Sequence, residues 1–190
     1  MPSLTERMIR AARLDVRLYE EVENDREAMG QTLTVVILSS LAAGISTLSF
    51  LTTVETTEPV TISAAMGSLI MATLVALGGW LFWAVLTYFI GTRLLPEPQT
   101  QADIGQLLRT TGFSSAPGIL RIVGVVPGLW FIVMAITSVW MLVSMVIAVR
   151  QALDYRSTWR AVGVCLIGWL IQAFLLILFT GVPHDIQVAV

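Results

Sequence analysis

The chain has 190 residues, of which 56% are hydrophobic and 13% are charged, and its formal net charge is −2. A soluble globular protein carries about 25% charged residues, so this chain lacks the polar material to cover a water-facing surface. The composition excludes a soluble enzyme, a nucleic-acid-binding protein and a disordered chain, and it indicates a protein that crosses a membrane several times.

The most polar part of the chain is its beginning, residues 1–30, which we expect to form a cytosolic amphipathic arm. The apolar periodicity predicts one helix over 3–26. Its polar face carries Arg10, Arg13 and Arg17. Two placements stay open: the helix lies in the headgroup plane with these arginines toward lipid phosphates, or it caps the protein's own helix bundle.

Five later segments approach the length of about 20 apolar residues that a membrane-spanning helix needs. The predicted spans are 31–54, 60–90, 104–126, 128–149 and 161–182. The third is ambiguous because it contains Arg109, Pro117 and Arg121. It either crosses the membrane or lies flat on it, which gives five or four spans.

The distribution of arginine favours five spans. In that topology the N-terminal arm, the 91–109 loop and the 150–160 loop all face the cytoplasm, and they hold 10 of the 11 arginines, as the positive-inside rule requires. With four spans, the arginines of 150–160 would lie outside. We therefore predict an all-α polytopic membrane helix bundle of five transmembrane helices over 31–182, preceded by the amphipathic helix. An extracytoplasmic tail, 183–190, follows.

Small residues at four-residue spacing indicate close helix packing within this bundle, because lipid tails give apolar helices no hydrophobic reason to associate. The expected packing positions are Ala64, Ser68, Ala72, Ala76, Gly124 and Gly128. A dedicated dimer face is the alternative use of the same residues.

Residues that carry chemistry are scarce. The chain has one histidine, one cysteine and no lysine, and every acidic residue lies in a predicted loop or tail. Neither a nucleophile with its base nor a metal-ligand set can be assembled from them, so we expect no enzymatic activity, no metal site and no cofactor.

His184 is either a solvated tail residue or an axial ligand to a haem or chlorin. Arg109 and Arg121 either snorkel to lipid phosphates or form a fixed anion or lipid-headgroup site at each interface.

The stretch Thr111-Gly112-Phe113-Ser114-Ser115-Ala116-Pro117 resembles the Gly-aromatic-x-x-x-Pro element of the Yip family, the five-span Ypt/Rab-GTPase-interacting membrane proteins. The family-motif residues are Gly112, Phe113 and Pro117. Segments 18–33, 91–100 and 149–161 look like those of the family's prokaryotic branch.

The resemblance implies a cytosolic N-terminus, a five-helix bundle without known catalysis and a location in a prokaryotic cytoplasmic membrane. Eukaryotic relatives are associated with small GTPases, membrane curvature and vesicle traffic. Their long cytosolic domain is replaced here by residues 1–30, so the resemblance does not carry GTPase binding over to this chain.

We therefore expect a non-enzymatic multi-pass membrane protein that acts as a scaffold, a lipid-organising protein or an accessory subunit. Its expected partners are membrane lipids and other membrane-protein subunits, and not nucleic acid. Two alternatives stay open: a passive lipid or small-solute translocator, and a cofactor- or pigment-ligating subunit through His184.

Overall fold

The computed structural model describes residues 2–54 and 61–180, and within these residues every regular element is a helix. The α-helices are α1 (Leu4–Ala12), α2 (Val16–Asn24), α3 (Met29–Val54), α4 (Ile62–Phe89), α5 (Ile104–Phe113), α6 (Trp130–Ala152) and α7 (Thr158–Thr180). Two 3-10 helices, Arg26–Ala28 and Ala116–Val125, and a π-helical turn, Ile90–Leu94, lie between them. Four stretches, based on α3, α4, α6 and α7, are long and apolar enough to cross a membrane. An all-α membrane-type helix bundle is thus confirmed.

The N-terminal arm is a helical hairpin of α1 and α2, and the prediction of one helix over 3–26 was wrong. Leu14 has a φ of 60°. The amide of Leu14 donates to the Ala11 carbonyl and the amide of Asp15 donates to the Arg10 carbonyl, which is the hydrogen-bond pattern of a Schellman motif that ends a helix. The chain reverses at this point, and Asp15 caps α2.

The predicted span 104–126 is also not a single α-helix. It consists of α5 followed by the 3-10 helix Ala116–Val125, and we call these two elements together the third segment. The physical reason for the break is Pro117, which lacks the amide that would donate to the carbonyl of Phe113, the last residue of α5. Ten residues of α-helix and ten of 3-10 helix together rise about 35 Å, and the hydrocarbon layer is about 30 Å thick.

Contacts at the two ends of the bundle show that the third segment extends along the whole length of the bundle. At the end that holds the N-terminal arm, the Tyr155 hydroxyl donates to the carbonyls of Gly91 and Leu95, which joins the exit of α6 to the exit of α4. At the opposite end, Phe50 of α3 stacks on Trp130 at the start of α6, with ring centroids 4.3 Å apart. The chain therefore leaves α4 at one end of the bundle and enters α6 at the other.

A line of glycines lets the third segment pack directly on α3. A Cβ atom at any of these glycines would overlap a side chain of a buried hydroxyl residue on α3. The opposed pairs are Gly112 with Thr32, Gly118 with Ser39, and Gly124 with Ser46. We call these six residues the glycine seam. The glycines recur every six residues and their partners every seven, so two elements of different helical pitch stay in register along the bundle.

The N-terminal arm packs on the same end of this assembly. Leu18, Tyr19 and Val22 of α2 are fully buried in a cluster that includes Phe113 of the third segment. The Tyr19 hydroxyl lies 2.5 Å from the Ser144 hydroxyl on α6. The arm is therefore an integral part of the bundle.

We predict that Gly112→Ala destabilises the protein by about 1–3 kcal/mol, because the new methyl group overlaps Cγ2 of Thr32. Thr32→Ser removes that Cγ2 but keeps the hydroxyl that donates to the Ala28 carbonyl, so the double variant should recover most of the loss. The measurement is thermal unfolding in detergent.

The matched control is Gly67→Ala on α4, where a Cβ has nothing within 4 Å. That change should be neutral or slightly stabilising, since alanine favours helix by about 1 kcal/mol over glycine. Equal effects at the two glycines, or no recovery by Thr32→Ser, would contradict the seam.

Candidate functional site

A buried arginine holds the two helices of the N-terminal arm to α3. The Arg7 side chain is only 2% exposed. Its Nε donates to Glu21 (3.0 Å), its Nη2 to Asp25 (2.6 Å) and its Nη1 to Gln31 of α3 (3.0 Å). Burial by itself lowers the pKa of this guanidinium, but the hydrogen bonds to Asp25 and Glu21 outweigh it, so the pKa of Arg7 is raised. The charge is therefore fully neutralised inside the protein.

The three arginines predicted to face lipid have different positions. Arg10 forms ion pairs with Asp15 (2.8 Å) and Glu21 (2.6 Å) inside the arm. Arg13 and Arg17 are exposed on the outer surface of the arm. The polar face expected from one straight helix is thus divided by the reversal at Leu14, and only its last two arginines point outward.

Arg109 bonds to the protein itself. Its side chain is buried, with the residue 6% exposed. Nε donates to the Val22 carbonyl at 2.8 Å and Nη2 donates to the Glu23 carbonyl. These are carbonyls of the last turn of α2, which have no partner within the helix and carry its negative dipole end. The guanidinium expected at a lipid or anion interface therefore caps α2 and fixes it to the third segment.

A buried carboxyl lies beside this cap. Glu23 is 8% exposed. Burial, together with repulsion from Asp154 and Glu20, raises the pKa of Glu23 to about 7, although Arg109 acts in the opposite direction. The arm thus contains one carboxyl that changes charge near neutral pH.

Arg121 differs from Arg7 and Arg109 in the chemistry of its partners, which are neutral hydroxyls. It lies on the 3-10 helix, where Nε donates to the Thr137 hydroxyl (3.3 Å) and Nη2 to the Ser138 hydroxyl (3.2 Å). Among the described residues no carboxylate lies within ion-pair distance of it. Its side chain lines a cavity of about 350 Å³ between the third segment, α6 and α7.

A second cavity, of about 480 Å³, lies on the other side of Arg121, between α3, α4 and the third segment. Ser68, Ala72 and Ala76 of the predicted packing stripe line it. Ala64, Ser68 and Ala72 are exposed. The helix α4 instead meets α3 through the adjacent positions, where Leu69 fills the space beside Gly44 and Thr73 lies 3.4 Å from Ser40.

The family-motif residues lie at the centre of the structure. Gly112, Phe113 and Pro117 are buried, the first in the glycine seam and the last at the junction of α5 with the 3-10 helix. Gly124 belongs to the seam, whereas Gly128 has a φ of 83° and forms the turn before α6.

The remaining predicted site residue, His184, lies outside the described residues, as does the tail 183–190. Within the described ranges, no three His, Cys, Asp or Glu side chains come together in a way that could hold a metal ion.

Sequence reasoning missed two of the buried charged residues, Arg7 and Glu23. Arg7 precedes Ala11, Leu14 and Leu18 by four, seven and eleven residues, so a single helical wheel places it on the predicted apolar face, and the reversal at Leu14 brings it to Glu21 and Asp25. One signal was available: a cation on the apolar face, such as Arg7, must be paired with an anion if that face is buried.

We predict that Glu23→Gln makes stability less dependent on pH. Because the folded pKa of about 7 exceeds the usual value of 4.5, the folded protein holds an extra proton between these values, and wild-type stability falls as the pH rises through this window. The glutamine variant lacks this loss, so its stability relative to wild type should increase from pH 5 to pH 8 by on the order of 1 kcal/mol or more.

Thermal unfolding at the two pH values measures this difference. Glu27→Gln, an exposed change in the same arm, is the control and should leave the pH dependence as in wild type. A wild-type-like profile for Glu23→Gln would refute the assignment of this titration to Glu23.

Comparison with known proteins identifies the family. A family model described as the Yip1 domain matches residues 16–179, which begins at the first residue of α2 and ends one residue before the end of α7. Neither the curated proteins nor the solved structures gave a significant match. The matched region contains Arg109, the whole glycine seam and Arg121. The chain therefore belongs to the Yip1 family of membrane proteins.

Proposed function

We propose that this protein is a non-enzymatic membrane scaffold that organises lipids or accompanies other membrane subunits. The observation that carries the proposal is the fixed attachment of the N-terminal arm to the bundle. Arg7 is 2% exposed and has three side-chain acceptors on α2, α3 and the turn between them. Separating α1 from these acceptors would break all three hydrogen bonds, and a hydrogen bond to a charged group contributes about 1.5–3 kcal/mol. The arm is therefore a rigid platform at one end of the membrane bundle.

The outer surface of this platform has the chemistry of a contact surface. Ile9 (48% exposed) and Val16 (42% exposed) lie on it with the exposed Arg13 and Arg17. Apolar side chains beside cations suit the headgroup region of a membrane with acidic lipids. One face of the arm thus caps the bundle while the other is available to lipids or to a subunit, which combines the two placements open from the sequence.

The proposed topology has five spans, with the N-terminus in the cytoplasm of a prokaryotic cell and the C-terminus outside. The course of the third segment supports it, because that segment runs from the arm end to the opposite end between α4 and α6. The loop arginines support it as well. Arg150 and Arg160 bond to carbonyls of neighbouring loops at the arm end, which agrees with a cytoplasmic location for that end.

We expect a photo-crosslinking amino acid placed at Ile9 or Val16 to form adducts in native membranes, because both side chains are exposed on the platform. Mass spectrometry of the adducts identifies the contact: lipid adducts support the lipid-organising role, and adducts with one membrane protein support the accessory role. The matched control is Ala11, which is fully buried in the same N-terminal arm. A crosslinker at this position should react only within the chain. Positions 9 and 16 giving no adduct beyond those of position 11 would reject the platform as a contact surface.

A further inference from the structure

The cavity between α6 and α7 has one charged end and otherwise mainly apolar walls. We propose that it binds an acyl chain of an acidic membrane lipid whose anionic headgroup pairs with Arg121. This site is separate from the outer surface of the N-terminal arm and does not rest on the platform's role.

The charge of Arg121 is the first argument. A guanidinium has five N–H donors, and here one bond from Nε and one from Nη2 go to neutral hydroxyls while Nη1 makes none. This Nη1 is not fully buried, so it is open to the surrounding space. A cation inside a membrane bundle is costly unless an anion compensates it. The planar fork of donors matches the oxygen pair of a phosphate or carboxylate.

The shape of the cavity is the second argument. Its wall on α6 extends from Ser138, beside Arg121, to Val146, which is about 12 Å along a helix. Ser138 lies eight residues after Trp130, the first residue of α6 at the end opposite the N-terminal arm, so the charged end is about 12 Å below the start of α6. The apolar wall continues from there past the middle of α6, to Val146, which lies about 9 Å from the arm end of the helix. A lipid that enters from the end opposite the arm likewise has its headgroup nearer that end and its acyl chain farther from it.

The walls and the opening are the third argument. Apart from Arg121 and Ser138, the polar lining consists of Ser114, whose hydroxyl already donates to the Thr111 carbonyl. On the α7 side the cavity is bordered by Leu166 (53% exposed) and Trp169 (49% exposed). These side chains lie on the outer surface of the bundle, where the membrane lies, so a lipid chain can enter sideways between α6 and α7.

The test is native mass spectrometry of the full chain in mild detergent, with phosphatidylglycerol and phosphatidylcholine of identical acyl chains at equal concentration. We expect wild type to retain one phosphatidylglycerol with about tenfold preference. Arg121→Gln should abolish the preference and Arg121→Lys should keep part of it. The matched control, Arg93→Gln, removes an exposed arginine near the arm end and should leave the preference unchanged.

A second variant tests the chain-binding part without touching the charge. Val162→Phe fills the apolar portion of the cavity and should reduce retention of phosphatidylglycerol even though Arg121 is intact. Unchanged preference in Arg121→Gln, equal retention of the two lipids by wild type, or undiminished retention in Val162→Phe would each overturn the proposal. Competition by millimolar inorganic phosphate that displaces phosphatidylglycerol would also overturn it, because that result would indicate a site for a free anion.

Discussion

The contact of Gly112, Gly118 and Gly124 with three hydroxyl side chains of α3 determines the path of the third segment, and other features depend on that path. Without hydrophobic attraction between helices in lipid, the close approach of backbones at small residues allows van der Waals packing to hold them together. The seam holds a segment that is interrupted by Pro117 and includes an uncommonly long 3-10 helix. It thereby places Arg109 under α2 and Arg121 beside α6, so one packing contact positions both arginines.

The arginines at the arm end of the bundle and Arg121 toward its opposite end have partners of different chemistry. At the arm end, the Arg7 guanidinium pairs with two carboxylates, and the Arg109 guanidinium bonds to two carbonyls at the negative dipole end of α2. Such groups stabilise the docked arm and are not available to a ligand. Toward the other end, Arg121 has only two hydroxyl partners and borders two cavities. The chemistry of the partners separates the structural cations from the candidate binding cation: carboxylates and helix C-terminal carbonyls hold Arg7 and Arg109, whereas only neutral hydroxyls contact Arg121.

Composition and charge predicted the membrane class, and the four longest apolar runs correspond to α3, α4, α6 and α7. The break at Pro117 was predictable from the missing amide. The reversal at Leu14 was not, because leucine rarely adopts positive φ and nothing local marks it as a turn. Arg7 meets Glu21 and Asp25 because of that reversal, and Arg109 bonds to backbone carbonyls. Neither set of partners leaves a pattern in side-chain periodicity. Sequence spacing also did not show which face of α4 meets α3. The contacts of Leu69 and Thr73 with α3 determine that face, and the predicted small-residue stripe lies beside it.

The packing of the third segment along α3 is tested most directly by a disulfide across the glycine seam. A Cβ built on Gly124 lies 3.6 Å from Cβ of Ser46, within the 3.5–4.5 Å range of disulfides. In a Cys165→Ser background, Ser46→Cys with Gly124→Cys should oxidise in membranes to a crosslink, seen as a loss of two hydrogens in the intact mass. Gly128→Cys paired with Ser46→Cys should not, since a Cβ at Gly128 has no neighbour within 4 Å. Free thiols at 46 and 124 in the folded protein after oxidation would contradict the account.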